Sequence, residues 1–408
     1  MGSVLTSTTK AQVSGHKFLA RRVEHGVVLG DVRMISDPLG ARRRAVLFGL
    51  IGTAIISAGA GLLAVFSPAT DPGDASIIQL DSGALYVRLE QGESAVLHPV
   101  ANEASARLIV GKPEKAAKAS PAVLNGRTRG VPVGITDAPG IIATHPQPEH
   151  QWHAVHDSDG VMIVAGQAPE TLSLGQGILA RVDGRLWVIT AVGRAELPPE
   201  DDALGRSIRR RLGITVDTPV WEPPARLLSA VVELPPYRAV SGKVLDTGEE
   251  YWLEHEGALS PLSELQAQIA GDIGVPVIKA PAREVNEFPV AVRHVPELPF
   301  EAVEWQVPDR VWVLDSGKVA VGGDTPAGID VQGAAVAERY AGPSEGAIGV
   351  DTGHGLVVVT DYGAVHRLGS AEDAEALGII SPQRASWPIL SLLPEGKELS
   401  RKQALNAQ

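Results

Sequence analysis

The longest uninterrupted apolar pattern in the chain is Ala45–Phe66, AVLFGLIGTAIISAGAGLLAVF, 22 residues with no charge and no proline and with Thr53 and Ser57 as its most polar side chains. At about 1.5 Å per residue such a helix reaches roughly 33 Å, enough for a hydrocarbon core of about 30 Å. A run apolar on every face predicts a membrane-spanning helix rather than a core helix. A cleaved signal peptide fits poorly, because its charged leader would be 44 residues long. Ser57 and Gly61, four apart, would let two spans approach closely.

Ahead of the span, Thr9-x-x-Gln12 reads as a capping box, and Leu19, Val23 and Val27 recur at four-residue spacing with Lys17, Arg21 and Arg22 on other faces. This predicts a short basic amphipathic helix, weakened by Gly15 and Gly26, that lies on anionic headgroups or docks on a partner's cytoplasmic domain.

Beyond the span the pattern is of short alternating runs set off by one recurring word, an Asp, an optional Ser or Thr, and a Gly. Asp81-Ser82-Gly83, Asp183-Gly184, Asp246-Thr247-Gly248 and Asp351-Thr352-Gly353 each precede an apolar run, as a hairpin turn would. Each is followed by a helical stretch stopping at a glycine: Asn102–Val110, Ala203–Leu212, Ser263–Ala270 and Ser370–Leu377. From turn glycine to closing glycine the intervals are 28, 29, 23 and 25 residues, so four ββα-like units are expected. A fifth word, Asp315-Ser316-Gly317, has no helix after it and is assigned to a separate central domain.

The expected fold class is therefore α+β: a single N-terminal transmembrane helix, then four degenerate ββα-like repeats around a central mixed, β-rich domain. The expected boundaries are 1–44 for the basic N-terminal region, 45–66 for the span, and 67–117, 165–214, 237–273 and 346–382 for the repeats. Central segments are expected at 118–164, 215–236 and 274–345, with a tail at 383–408. Pro-rich connections at 132–148, 219–236 and 276–299 fit extended links between such bodies.

Charge sharpens this picture. The chain of 408 residues has 36 Lys and Arg against 48 Asp and Glu, a net −12, which argues against general nucleic-acid binding. Residues 1–44 nevertheless carry +5, and everything after the span sums to −17. Arg42-Arg43-Arg44 abuts the span and is expected to place the N-terminus in the cytoplasm, with the 342 residues from Ser67 on outside the plasma membrane. With no cysteine, thiol catalysis, cysteine-ligated metals and disulfides are excluded.

Catalytic words are present only as fragments. Gly111-Lys112 has Ala106 and Pro113 where a phosphate loop needs Gly and Ser or Thr. Gly342-Pro343-Ser344-Glu345-Gly346 satisfies G-x-S-x-G without the strand–turn–helix setting of a nucleophile, and Ser14-x-x-Lys17 lies on the N-terminal arm. His145, His150, His153 and His156 crowd twelve residues, but their spacing fits no standard metal site. No catalytic, cofactor-binding or metal-ligating residue is assigned, and no cofactor.

The opening Thr8-Thr9-Lys10-Ala11-Gln12-Val13-Ser14-Gly15-His16-Lys17-Phe18, then Arg21-Arg22-Val23-Glu24-His25, Asp31-Val32-Arg33-Met34 and Asp37-Pro38, resembles the N-terminal signature of the EccB family, membrane core components of the type VII (ESX) secretion system of actinobacteria. Asp81–Val87, Asn102–Ile109 and Val359-Thr360-Asp361-Tyr362-Gly363 continue the resemblance over nearly the whole chain. It implies a scaffold of the secretion complex with a periplasmic exterior, assembling with EccC, the motor ATPase, with EccD and EccE, with further copies of itself, and close to the mycosin protease. An unconventional membrane ATPase and a membrane-anchored envelope-binding module are the alternative functions. The resemblance also implies a periplasmic disulfide with one cysteine in a W-x-V-C-D context. Here His156 of Trp152-His153-Ala154-Val155-His156-Asp157 stands at that position, and Ala302-Val303-Glu304-Trp305 corresponds to the partner stretch. A His156–Glu304 pair is expected in place of the crosslink.

Overall fold

The computed structural model describes residues 8–36, 38–66, 72–90, 95–125, 127–143, 149–285, 287–289 and 297–406. The chain divides into two compact units, Met1–Thr70 and Asp71–Gln408.

In the first unit, Thr9 caps a helix over Lys10–Leu29, its hydroxyl accepting from the Gln12 amide while the Gln12 side chain accepts from the Thr9 amide. The helix runs unbroken through Gly15 and Gly26, contrary to the expected weakening. At Gly26 the bare backbone is used: an added Cβ would lie 3.0 Å from Val32, which folds back over the helix. Gly30 ends the helix in the left-handed conformation, φ 71°. The second helix, Pro38–Phe66, begins ahead of the apolar run and holds one segment long and apolar enough to cross a membrane, Leu39–Leu62. Within it the Thr53 hydroxyl donates to the Gly49 carbonyl, so the span's one threonine is satisfied inside its own helix.

The second unit is β-rich, with four similar subassemblies. Unit 1 is built of strands Ile77–Leu80, Leu85–Arg88 and Leu97–Val100, helix Glu103–Val110 and strand Ala117–Ala119. Unit 2 uses Gln176–Val182, Arg185–Thr190, Gly193–Glu196, helix Ala203–Arg211 and Val220–Trp221. Unit 3 uses Lys243–Asp246, Tyr251–His255, Ala258–Leu262, helix Glu264–Asp272 and Val277–Lys279. Unit 4 uses Ile348–Asp351, Leu356–Val359, Val365–Arg367, helix Ala371–Leu377 and Gln383–Arg384. In all four the first three strands form an antiparallel meander, and the strand after the helix returns parallel to the first, giving the order third, second, first, fourth.

The expected ββα unit is thus corrected to βββαβ. The first strand lies ahead of the turn word that opens the expected unit, and the returning strands are only two or three residues long, too short to leave an alternation readable beside the helix signal. The boundaries move with them: Val220–Trp221 and Val277–Lys279, expected in central segments, belong to units 2 and 3. Unit 3's helix also continues past the expected stop at Gly271, where an added Cβ would meet Val277 of the returning strand at 3.3 Å. The turn words sit at the first hairpins, and Asp183 and Gly184 take φ of 50° and 76°, the two-residue turn that suits a twisted ribbon.

A further chain segment lies parallel to the third strand in units 1, 2 and 4, with Arg129 beside Leu97, Glu233 beside Arg194 and Glu395 beside Val365; in unit 3 the Leu259 amide donates to the Pro289 carbonyl. In units 1 and 4 the likeness extends to side chains. The rings of His98 and His366 cover Gly130 and Gly396, and each Nδ1 meets the next residue's carbonyl, Val131 at 3.0 Å and Lys397 at 2.8 Å. No residue with a Cβ fits beneath either ring.

A six-stranded sheet, in order Val319–Val321, Val311–Leu314, Trp152–Asp157, Gly160–Ala165, Arg339–Ala341, Ile329–Asp330, forms the centre, with Asp315-Ser316-Gly317 turning its edge hairpin. One face packs on the sheets of units 2 and 4 through Trp152, Ile163, Ile178, Ile189, Val350 and Val359. Units 1 and 3 attach farther out. The unit 1 helix packs on that of unit 4 in a core with Leu108, Ile109 and Leu377, and the unit 2 helix on that of unit 3 around Leu204, Ile208 and Ile269.

Candidate functional site

The histidine cluster resolves into separate places. His145 lies outside the described residues. His150 meets the Gln383 side chain at 3.1 Å, at the edge of unit 4. His153 and His156 share the strand Trp152–Asp157, and their odd and even positions send them to opposite faces of the central sheet. His153 is buried edge-on to Trp312, ring centroids 6.3 Å apart, with its Nε2–H donating to the Gly166 carbonyl at 3.1 Å. Burial holds its pKa below the usual histidine value. These three histidines therefore do not converge on one point.

His156 is the joint between the central sheet and unit 2. The Trp221 indole, on unit 2's returning strand, donates to His156 Nδ1 at 2.9 Å. Burial again lowers the pKa, against the opposing pull of Asp157 and Glu338. The expected His156–Glu304 pair is overturned: among the described residues Glu304 makes no ion pair with His156. Glu304-Trp305 instead forms a short strand parallel to Gln176-Gly177. Trp305 donates from its indole to the Leu212 carbonyl at 2.8 Å, which fixes that stretch to unit 2's helix end. An exposed carboxylate beside the sheet gains more from water than from a half-buried ring whose Nδ1 already accepts from Trp221.

The other words are placed as follows. Gly111-Lys112 follows the end of a helix, with the Gly111 amide donating back to the Arg107 carbonyl, so no loop of amides opens toward a phosphate. Ser344 is on an exposed loop between strands Arg339–Ala341 and Ile348–Asp351, and Gly342 closes over the Tyr340 hydroxyl. Ser14 and Lys17 are exposed on the N-terminal helix.

The polar contacts with the strongest geometry are at the two helix pairs. Arg107, almost wholly buried, pairs with Glu103 at 2.5 Å and donates to the carbonyl of Leu377, the last residue of unit 4's helix. In the other pair Arg211 grips Asp272 with two bonds of 2.8 Å, and Ser207 adds a third of 2.8 Å. These bonds hold the Asp272 carboxyl down to about 2, Arg211 contributing most. Each clamp joins an inner unit to an outer one, so the residues with most to do in this molecule bind one part of the chain to another. Sequence reading passed over both; the arginines in the last turns of the helices were the available signal.

Comparison with known proteins agrees with that layout. The family model described as Type VII secretion system ESX-1, transport TM domain B, matches residues 5–259 and 324–408. The ESX-1 secretion system ATPase EccB1 of Mycobacterium tuberculosis is 28% identical over 98% of this chain and 95% of its own length. The ESX-5 secretion system ATPase EccB5 of the same organism is also 28% identical, over 99% and 94%. Among solved structures, a chain of an intact ESX-5 inner membrane complex aligns with TM-score 0.63 at 24% identity, covering 100% of this chain and 97% of that one. A chain of the EccB3 dimer from the ESX-3 core complex aligns with TM-score 0.67 at 21% identity, covering 82% and 100%. The family match takes in the capped N-terminal helix, the span and most of the β-rich body, and the chain belongs to the EccB family of type VII secretion proteins.

Proposed function

We propose that this chain is a structural membrane component of a type VII secretion complex, scaffolding its periplasmic side and joining it to the membrane pore. The observation that carries the reading is that likeness to EccB proteins runs unbroken from the basic N-terminal helix through the span into the β-rich unit, with relatives matched along nearly all of their length. The +5 balance before the span supports an N-terminus in the cytoplasm and a C-terminal unit in the periplasm. Partners of the EccC, EccD and EccE type, further copies of the chain, and the mycosin protease follow from the family.

The four βββαβ units are read as degenerate repeats, at 77–119, 176–221, 243–279 and 348–384, around a central sheet drawn from 152–165 and 311–341. Their common strand order supports this. Deletion of the chain from its host tests the function: export of ESX substrates should cease and the membrane complex should fail to assemble, whereas normal export would refute it.

The relatives' name of ATPase favours a second reading, nucleotide hydrolysis by the chain itself. Turnover by the purified protein that persists without any EccC would support it, and turnover lost with EccC would remove it.

A further inference from the structure

We propose that unit 2 holds a binding site for a small uncharged apolar group carrying one hydrogen-bond acceptor, a phenyl ketone being a simple example of the class. The site goes beyond the secretion role, which neither requires nor predicts a ligand there.

The cavity has a volume of about 160 Å³ and is walled by Val188, Leu212, Leu234, Tyr237, Leu298 and Val303. It lies where the first strand of unit 2 begins and where the hairpin joining the second and third strands turns at Val192. Segment 298–303 closes the remaining side and is fixed along its length. The Gln266 side chain donates to the Leu298 carbonyl at 3.1 Å, Glu301 Oε1 accepts from the Gly175 amide at 2.8 Å, and the Glu304 amide donates to the Gly175 carbonyl at 2.7 Å. The walls are therefore in place before any ligand arrives, so little ordering opposes binding.

Size, one hydroxyl and one carboxylate decide the class of ligand. An engineered apolar cavity of about 150 Å³ stays dry and takes benzene, so this volume suits one ring or a short branched chain. The Tyr237 hydroxyl has no hydrogen-bond partner among the described residues. Burial pushes its pKa up to about 12, so it is a protonated donor at neutral pH, and an acceptor on the ligand supplies the bond it lacks. Glu301 is the one charged side chain lining the cavity among the described residues, and it repels anions. A cation, in turn, would exchange water for aliphatic walls. At the mouth Val192 and Phe300 are 60% and 69% exposed, an apolar lip that continues the wall outward.

The test uses the full chain in mild detergent and the photoprobe 4-azidoacetophenone, with acetophenone, ethylbenzene and benzoate as competitors and peptide mapping by mass spectrometry as the readout. The expected result is saturable labelling confined to 174–192, 212–237 and 298–303. Acetophenone should suppress it at roughly fivefold lower concentration in the native chain than in Tyr237→Phe. Ethylbenzene, of similar shape but without an acceptor, should suppress it equally in both. Each competitor is compared with itself across the two proteins, which cancels its partitioning into the micelle. Benzoate should not compete. Val303→Phe, which puts a ring into the cavity, should abolish labelling at an unchanged thermal midpoint; if that variant does not fold, Tyr237→Phe, which keeps the ring, carries the test alone. Labelling that is spread along the chain or does not saturate overturns the site. Equal suppression by acetophenone in both proteins overturns the hydrogen bond from Tyr237, and competition by benzoate overturns the uncharged class.

Discussion

His156 occupies the position where the family resemblance implied a cysteine, and its contacts explain how the joint holds without a crosslink. The Trp221 indole can donate to Nδ1 only while that nitrogen keeps its lone pair, so protonation of the ring breaks the bond. Both His153 and His156 have folded pKa values below the usual 6.5, chiefly through burial. The unfolded chain then binds more protons near pH 6 than the folded one, and stability rises with pH there. That contribution is complete above about pH 6.5 and is lost as pH falls toward the lower folded values. Thermal unfolding of the full chain should show a lower midpoint at pH 5.5 than at pH 7.5, and His156→Gln should flatten part of the difference. An unchanged slope in His156→Gln would refute the assignment. Asp272 works at the other end of the scale. Its carboxyl, held to about 2, gives stability that is present above about pH 4 and disappears only as pH falls through about 2. Arg211→Ala should cost about 1–3 kcal/mol at pH 7 and move this acid limb upward, with Arg211→Lys recovering only part because one ammonium cannot make both 2.8 Å bonds.

At the scale of elements, helix propensity and packing make opposite predictions for two glycines. In unit 2's helix an added Cβ at Gly205 would fall 2.0 Å from the Pro199 carbonyl oxygen, a backbone atom that cannot step aside. Gly15, in the N-terminal helix, has nothing within 4 Å of that point. Gly205→Ala should therefore destabilise the chain by about 1–3 kcal/mol despite alanine's better propensity, and Gly15→Ala should strengthen its helix by about 0.5–1 kcal/mol. Calorimetric midpoints for Gly205→Ala and helicity of Gly15→Ala by circular dichroism check the pair; a neutral Gly205→Ala would contradict the packing.

Much of the element order was readable because the turn words and helix stops are local. The hairpin at Asp183-Gly184 needs only two residues to declare itself, as does the cap at Thr9 and Gln12. The returning strands were not readable. Val220–Trp221 and Gln383–Arg384 are two residues each and exist because the first strand of their unit offers an open edge, which is a property of the assembled sheet. The clamps at Arg107 and Arg211 were hidden for the same reason, since their partners stand 270 and 61 positions away in sequence. The expected His156–Glu304 pair came from family resemblance alone, and the placement of His156 half-buried against Trp221 with Glu304 exposed beside Gln176 is what local sequence could not supply.

On the scale of the whole molecule, the β-rich unit is two helix-paired wings on one central sheet: units 1 and 4 on one side, units 2 and 3 on the other. Units 2 and 4 touch the central core directly, whereas units 1 and 3 are held through a helix seam and one buried or bidentate arginine. Replacing Arg107 with Met should accordingly loosen unit 1 in preference to the centre. Hydrogen exchange should accelerate at Ile77–Leu80 and Leu85–Arg88 while Trp152–Asp157 stays protected. Uniform acceleration across all three would mean that the unit unfolds as one body and that the wings have no separate stability.

The central claim, that the chain is a scaffold of a type VII membrane complex, is tested most directly by extracting native membranes in mild detergent with a tag on the C-terminus and identifying by mass spectrometry what co-purifies. The account predicts one large particle containing this chain with EccC, EccD and EccE type proteins. Recovery of the chain alone, in a detergent that preserves such assemblies, would contradict it.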